Sequence, residues 1–330
     1  MNQVLVTGAA GFIGSHVAER LLKRGDTVIG LDEVNNYYPV DYKRANLTRL
    51  STYPNFSCEE FSLEDLPALK KLFSKQDISH VAHLAARAGV RPSIEDPFIY
   101  QQANVAGTLN LLEVARLSKV ANFVLTSSSS VYGNSTQVPF REDDSATDLA
   151  ISPYAATKKA TEVLGHTFHH LYGLNINVVR PFTVYGPCGR PDMAPWLFTV
   201  AALQGKKIKK FGDGSSRRDY TFIEDFVDGF VNAIDRELGY EIFNLGNSQT
   251  VSLNEAIDTI SEVTGRPLLF EQLPMQPGDV MMTNADISKA QKLLDYNPQT
   301  SFKAGMKIFC DWLVKAHPEL VEDEISKNVA

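Results

Sequence analysis

Gln3-Val-Leu-Val-Thr-Gly-Ala-Ala-Gly-Phe-Ile-Gly14 decides the fold. Residues 3–7 form a short, uninterrupted apolar run, the pattern of a strand buried on both faces. Gly8, Gly11 and Gly14 follow at once. Phe12 and Ile13 then open an apolar helical periodicity that runs to Lys23 and is closed by Gly25. Glycines at that spacing between a strand and a helix let the backbone turn tightly and approach a pyrophosphate, to which the helix start offers unpaired N–H groups. A second strand, Thr27-Val-Ile-Gly-Leu-Asp32, ends in an acid eighteen residues after Gly14. A carboxylate there accepts from ribose hydroxyls and repels a 2′-phosphate, which favours NAD over NADP.

Strands and helices alternate beyond this point. The pattern predicts strands over 56–61, 78–84, 121–126 and 176–180, with helices over 64–74, 98–118 and 153–172 between them. Alternation of this kind implies an α/β fold with a doubly wound parallel Rossmann sheet. Pro181 to Pro195 breaks the pattern with turn formers, so a domain change is placed there. Later helices are expected over 196–203, 224–234, 253–263, 286–294 and 303–314, with a strand over 241–245. The division expected is 1–180 for the dinucleotide domain, with about 224–250 returning to it, and 181–330 mainly for a smaller α/β substrate domain.

In an open parallel sheet, ligands sit beyond the carboxyl ends of the strands. Two stretches fall there, and two further positions draw notice elsewhere. Arg87 and Arg91 follow the fourth strand and either face an anion or are solvated loop residues. Ser127 to Ser130 follow the fifth, and their hydroxyls either bind a substrate oxygen or cap a turn. Asn104, inside a helical pattern where Asn is a poor resident, is suited to holding backbone or water near the site. Arg217 and Arg218, in a glycine-containing turn, either bind a diphosphate or form a solvated pair.

Ile151-Ser-Pro-Tyr-Ala-Ala-Thr-Lys158 carries the chemistry. Ser152 caps a helix and Pro153 fits its first turn. Tyr154 and Lys158 then share one face. A phenol of reference pKa ~10 is a poor base at neutral pH, and a nearby ammonium stabilises its anion. The alternative is an ordinary helix face with a half-buried Tyr and a solvated Lys.

The chain has 330 residues, 44% of them hydrophobic, enough for one large domain or two joined ones. A net charge of −7 argues against a general nucleic-acid binder. Cys58, Cys188 and Cys310 are far apart and form no C-x-x-C pair, and the adjacent His169 and His170 point apart on a helix. No disulfide framework and no metal site are expected. The first residues lead straight into a strand without a signal peptide, and no apolar run would span a bilayer, so a cytoplasmic protein is expected.

The glycine loop with Asp32, the serine cluster before Val131-Tyr-Gly133, and Tyr154-x-x-x-Lys158 together resemble the extended short-chain dehydrogenase/reductases, the nucleotide-sugar epimerases and dehydratases. Phe211-Gly-Asp-Gly and Arg218-Asp-Tyr extend the likeness to nearly the whole chain. Within that family, Phe182-Thr-Val-Tyr-Gly-Pro187, Gly189-Arg-Pro-Asp-Met-Ala194, Ala88-Gly-Val-Arg91, Asn36-Tyr-Tyr38 and Met275-Gln-Pro-Gly-Asp-Val280 look most like the UDP-glucuronate 4-epimerases. Pro181, where an aromatic is usual, and Arg87, where a neutral residue is usual, depart from the pattern.

The resemblance implies NAD in the first domain and a UDP-sugar in the second. It implies Tyr154 as catalytic base, Lys158 as its partner, and Ser128 as the hydroxyl on the reacting sugar oxygen, with Ser129 and Ser130 beside it. Gly8, Gly11, Phe12, Ile13, Gly14, Asp32, Tyr154 and Lys158 would contact the cofactor, and Arg91, Thr183, Arg190, Arg218 and Asp279 the substrate. The reaction implied is UDP-glucuronate to UDP-galacturonate through a transient 4-keto sugar, in a homodimer joined by the helices at 98–118 and 153–172. A 4,6-dehydratase needs an acid and a base beside the serine, and a decarboxylase of this family carries Glu before Val-Tyr-Gly. This chain has Ser129 and Ser130. A UDP-glucose/galactose 4-epimerase is the main alternative, and a non-catalytic NAD-binding sensor a further one.

Overall fold

The computed structural model describes residues 2–275 and 281–322. Seven strands form one parallel sheet: β1 (Gln3–Thr7), β2 (Thr27–Leu31), β3 (Phe56–Glu59), β4 (His80–His83), β5 (Asn122–Thr126), β6 (Ile176–Pro181) and β10 (Tyr240–Leu245), in the order β3-β2-β1-β4-β5-β6-β10. Order reverses at β1, between β2 and β4, and a crevice opens there. Five further strands, β7 (Thr183–Tyr185), β8 (Ile208–Phe211), β9 (Arg217–Phe222), β11 (Thr250–Ser252) and β12 (Phe270–Leu273), make two small sheets, β11-β9-β7 and β12-β8.

Side chains of successive strand residues pass to opposite faces. Val4, Val6, Val28, Ala82, Val124 and Val179 enter one core, and Leu5, Ile29, Val81, Phe123, Leu125 and Val178 the other. Each face is covered by helices: α1 (Phe12–Arg24) lies on the first, joined later by α9 (Ile223–Ile234), whereas α3 (Leu66–Lys75), α6 (Gly107–Leu117) and α7 (Pro153–Tyr172) lie on the second. The remaining helices are α2 (Val40–Leu50), α4 (Val90–Glu95), α5 (Pro97–Tyr100), α8 (Ala194–Leu203), α10 (Leu253–Thr264), α11 (Ser288–Leu294) and α12 (Phe302–Ala316). Among the described residues no helix is long and apolar enough to cross a membrane.

Three local readings need correction. Residues 40–50 form a helix in a stretch where no element was expected. Arg91 sits in α4, not in a loop. Arg217 and Arg218 lie on strand β9, paired with Ser252 and Val251 of β11, not in a turn. The expected helix over 98–118 is continuous in course but takes a π turn at Gln101–Ala106, a distortion that tends to mark functional sites.

Asp219, fully buried on β9, ties together the segments around it. Its carboxylate accepts from the backbone N–H groups of Asn247 (2.7 Å), Ser248 (3.1 Å) and Ala285 (3.0 Å). An amide in its place turns an NH₂ toward N–H donors. Asp219→Asn is therefore expected to lower stability by about 1–3 kcal/mol, measured as a drop in the urea midpoint at constant slope.

Candidate active site

A cavity of about 420 Å³ lies over the carboxyl ends of β1, β2, β4, β5 and β6. Each strand delivers its next residues to the wall: Gly8 to Gly14 after β1, Asp32 after β2, Leu84 to Val90 after β4, Ser127 to Ser130 after β5, and Phe182 to Val184 after β6. Tyr154 and Lys158 enter from α7, and Arg190 and Met193 from the loop between β7 and α8.

The glycine turn fits a dinucleotide. Gly8 holds φ +74°, and a Cβ there would lie 2.9 Å from the Ala85 nitrogen. A Cβ on Gly14 would lie 2.0 Å from the Gly8 carbonyl oxygen. Gly11, the N-cap of α1, has no side chain to satisfy the helix's first N–H groups, so they are available to an anion. Asp32 accepts from the N–H groups of Val34 (2.8 Å) and Ala10 (3.1 Å), while its burial pushes the carboxyl pKa up. Two buried polar atoms of the wall, Arg87 Nε and Thr126 Oγ1, find no hydrogen-bond partner among the described residues. Glycine cradle, open helix end, acid and orphaned polar atoms all suit bound NAD.

On α7, Ser152 accepts from Ala155 N (3.1 Å), Pro153 occupies the first turn, and Gly173 closes the helix in the left-handed region. That sets the register of Tyr154 and Lys158. Tyr154 is half-buried. Burial raises its phenol pKa, while the Ser128 hydroxyl and the Arg190 charge pull it down. Lys158 is buried and donates to the Thr126 carbonyl at 2.8 Å. Burial lowers its pKa to about 8, against the opposing pull of Glu162.

Ser128 caps a short 3₁₀ turn and lines the cavity as well. Its Oγ accepts from Ser130 N at 3.1 Å, which leaves its own O–H to donate. Asn104 holds the β4 loop through both backbone groups of Arg87, at 2.7 and 3.0 Å, and reaches Thr157 on α7 at 3.0 Å. Arg190 pairs with Asp192 (2.9 and 2.5 Å) and lies 5.3 Å over the Tyr37 ring.

Of the residues expected from sequence, Gly8, Gly11, Phe12, Ile13, Gly14, Asp32, Ser128, Ser129, Ser130, Tyr154, Lys158, Thr183 and Arg190 line this one cavity. Arg91 is exposed on α4, and Arg218 lies on β9 with a bond to the Arg217 carbonyl (2.9 Å); neither lines it. Asp279 lies outside the described residues. Tyr37, Tyr38 and Lys43 do line the cavity. The signal for the two tyrosines was present in the Asn36-Tyr-Tyr38 likeness, but nothing local said that this loop closes over the site.

A family model described as GDP-mannose 4,6 dehydratase matches residues 5–309. A UDP-glucuronate 4-epimerase of Thermodesulfobacterium geofontis is 46% identical over 323 residues, 98% of this chain and 99% of that one. The crystal structure of UDP-glucuronic acid 4-epimerase from Bacillus cereus, in complex with UDP-glucuronic acid and NAD, matches with TM-score 0.89 at 36% identity, covering 95% of this chain and 99% of that chain. A UDP-glucose 4-epimerase of Thermotoga maritima with UDP-glucose matches with TM-score 0.85 at 32% identity, over 95% and 99%.

Proposed function

This chain belongs to the NAD-dependent epimerase/dehydratase family of extended short-chain dehydrogenase/reductases, and from that membership we propose that it interconverts UDP-glucuronate and UDP-galacturonate by inverting C4. The observation that carries the reading is the meeting of Tyr154, Ser128 and Lys158 at one wall of a cavity whose other wall is the glycine turn. NAD, when bound there, supplies the acceptor and donor of the C4 hydride.

The chain's own residues manage the proton and the orientation. Tyr154 takes the proton from the sugar O4 and later gives it back. Ser128, its lone pair engaged by Ser130 N, donates to O4 and fixes its position. Lys158 anchors α7 to the end of β5 through Thr126 and keeps a cation near the phenolate.

Oxidation at C4 of a uronate makes a β-keto acid, which loses CO₂ readily. The carboxylate must be held without twisting the scissile bond out of the plane of its carboxyl group. Arg190 is already engaged by Asp192, so the hydroxyls of Thr183, Ser129 and Ser130 are the neutral donors proposed for it. Arg218 stays proposed on the diphosphate, and Arg91 and Asp279 stay proposed as substrate contacts.

Incubation with UDP-glucuronate, without added reductant, should yield UDP-galacturonate in the proton NMR spectrum with no CO₂ and no UDP-pentose. Turnover of UDP-glucose alone would overturn the uronate assignment.

The second copy is proposed to dock on α5, α6 and α7. These helices expose Phe98 (78%), Leu109, Val163 (56%) and Leu171, more apolar surface than a lone helix face in water needs. Sedimentation should give the mass of two chains. Val163→Glu with Leu171→Glu should shift it to one; an unshifted value would move the interface elsewhere.

A further inference from the structure

α7 carries a third group in register with the first two. Glu162 is one turn beyond Lys158, and its carboxylate is buried between two elements of the sheet. Arg180 on β6, fully buried, grips it with both arms: Nε to Oε1 and Nη2 to Oε2, each 2.8 Å. Arg180 is itself fixed by donating to the Tyr132 hydroxyl (2.9 Å) and the Glu142 carbonyl (3.2 Å). Tyr132 donates in turn to Asn244 on β10 (2.7 Å). The same Oε1 that receives Arg180 also receives the Ser127 hydroxyl at 2.6 Å. Ser127 is the residue before Ser128.

We propose that Glu162 is a positioning residue for the epimerisation: clamped by Arg180, its carboxylate sets both the serine loop that carries Ser128 and the ammonium of Lys158. The proposal rests on the epimerase reading of the cavity. A bidentate guanidinium fixes the carboxylate plane, so the third acceptor direction, toward Ser127, is fixed as well. The charged groups around Lys158 make the electrostatic half specific. From β4, His83 faces it but is kept neutral, its pKa driven down to about 3 by burial and then by Lys158 itself; its ring bridges Thr7 and Thr108 at 2.8 Å each. Glu162 is thus the anion that holds the buried ammonium charged. Around Glu162 stand Arg180, Lys159 at 3.7 Å, and the Tyr240 hydroxyl on its backbone carbonyl.

The test separates the two arms. Glu162→Gln alone leaves Arg180 buried and unpaired and risks misfolding, so the working variant is Glu162→Gln with Arg180→Gln, a neutral amide pair. In protein carrying [ε-¹³C]lysine, the Lys158 signal is identified by its loss in Lys158→Met. Its titration midpoint, expected near 8 in the parent, should fall in the double variant, because Glu162 is the charged group that raises it and Arg180 is not among the groups that act on it. With UDP-glucuronate the alkaline limb of kcat should move down with it, kcat should drop by about tenfold or more, and KM should stay within about twofold. Ser127→Ala, which alters no charge, should lower kcat by about tenfold while the Lys158 midpoint and the limb stay in place. An unmoved Lys158 midpoint in the folded double variant, or unchanged kcat in Ser127→Ala, overturns the proposal. A lowered midpoint in a protein that turns over no UDP-uronate overturns the epimerase reading and leaves the coupling of Glu162 to Lys158 standing.

Discussion

Tyr154→Phe is expected to lower kcat for UDP-glucuronate by about 10³-fold or more, with KM close to that of the parent and NAD retained through purification. The substitution removes one oxygen from a side chain that lines the cavity and leaves the ring, its edge contact with Tyr100 (6.1 Å between centroids) and the helix cap at Ser152 in place. No other wall residue offers a proton acceptor in the same position: Ser128 is turned toward donation by Ser130 N, and Lys158 is engaged by the Thr126 carbonyl. Rate constants with Phe within tenfold of the parent would mean that another group takes the O4 proton.

Gly14→Ala is expected to empty the cofactor site. The new methyl would meet the Gly8 carbonyl carbon at 2.7 Å and its oxygen at 2.0 Å. Both are backbone, so α1 must move away from the end of β1. Overpacking of that kind costs about 1–3 kcal/mol or more, and the shift carries the helix's first N–H groups away from the pyrophosphate. Gly11→Ala provides the internal comparison. Its Cβ would approach the same oxygen only to 3.1 Å, which a small adjustment relieves. The nucleotide content of the purified protein and the melting temperature should both fall far more for Gly14→Ala. Equal losses in the two variants would show that the α1–β1 approach is not what holds the turn.

The extent to which the site could be read from sequence follows the range of the forces involved. The glycine turn, the caps of α7 and the spacing of Tyr154 and Lys158 are properties of neighbours within a few residues, and they appeared where expected. The short strands β8, β11 and β12, of three or four residues each, carry too little periodicity to be seen. The environment of Tyr154 was also hidden. The charge of Arg190, thirty-six residues away in sequence, pulls the phenol pKa down. Asn104 was legible as an oddity in a helix, but not as the clamp on both backbone groups of Arg87.

By itself, the sequence determined the parallel sheet, the dinucleotide turn with its acid, and the helix that bears the phenol and the ammonium. Each rests on local backbone preference and on side-chain periodicity, which neighbouring residues set. Only the tertiary structure decided which arginines reach the cavity, that Arg91 and Arg218 do not line it, and that Arg180 and Glu162 meet in the core. Those outcomes depend on strand order and on how α7 crosses β5 and β6, because a buried charge finds its partner through the packing of distant segments.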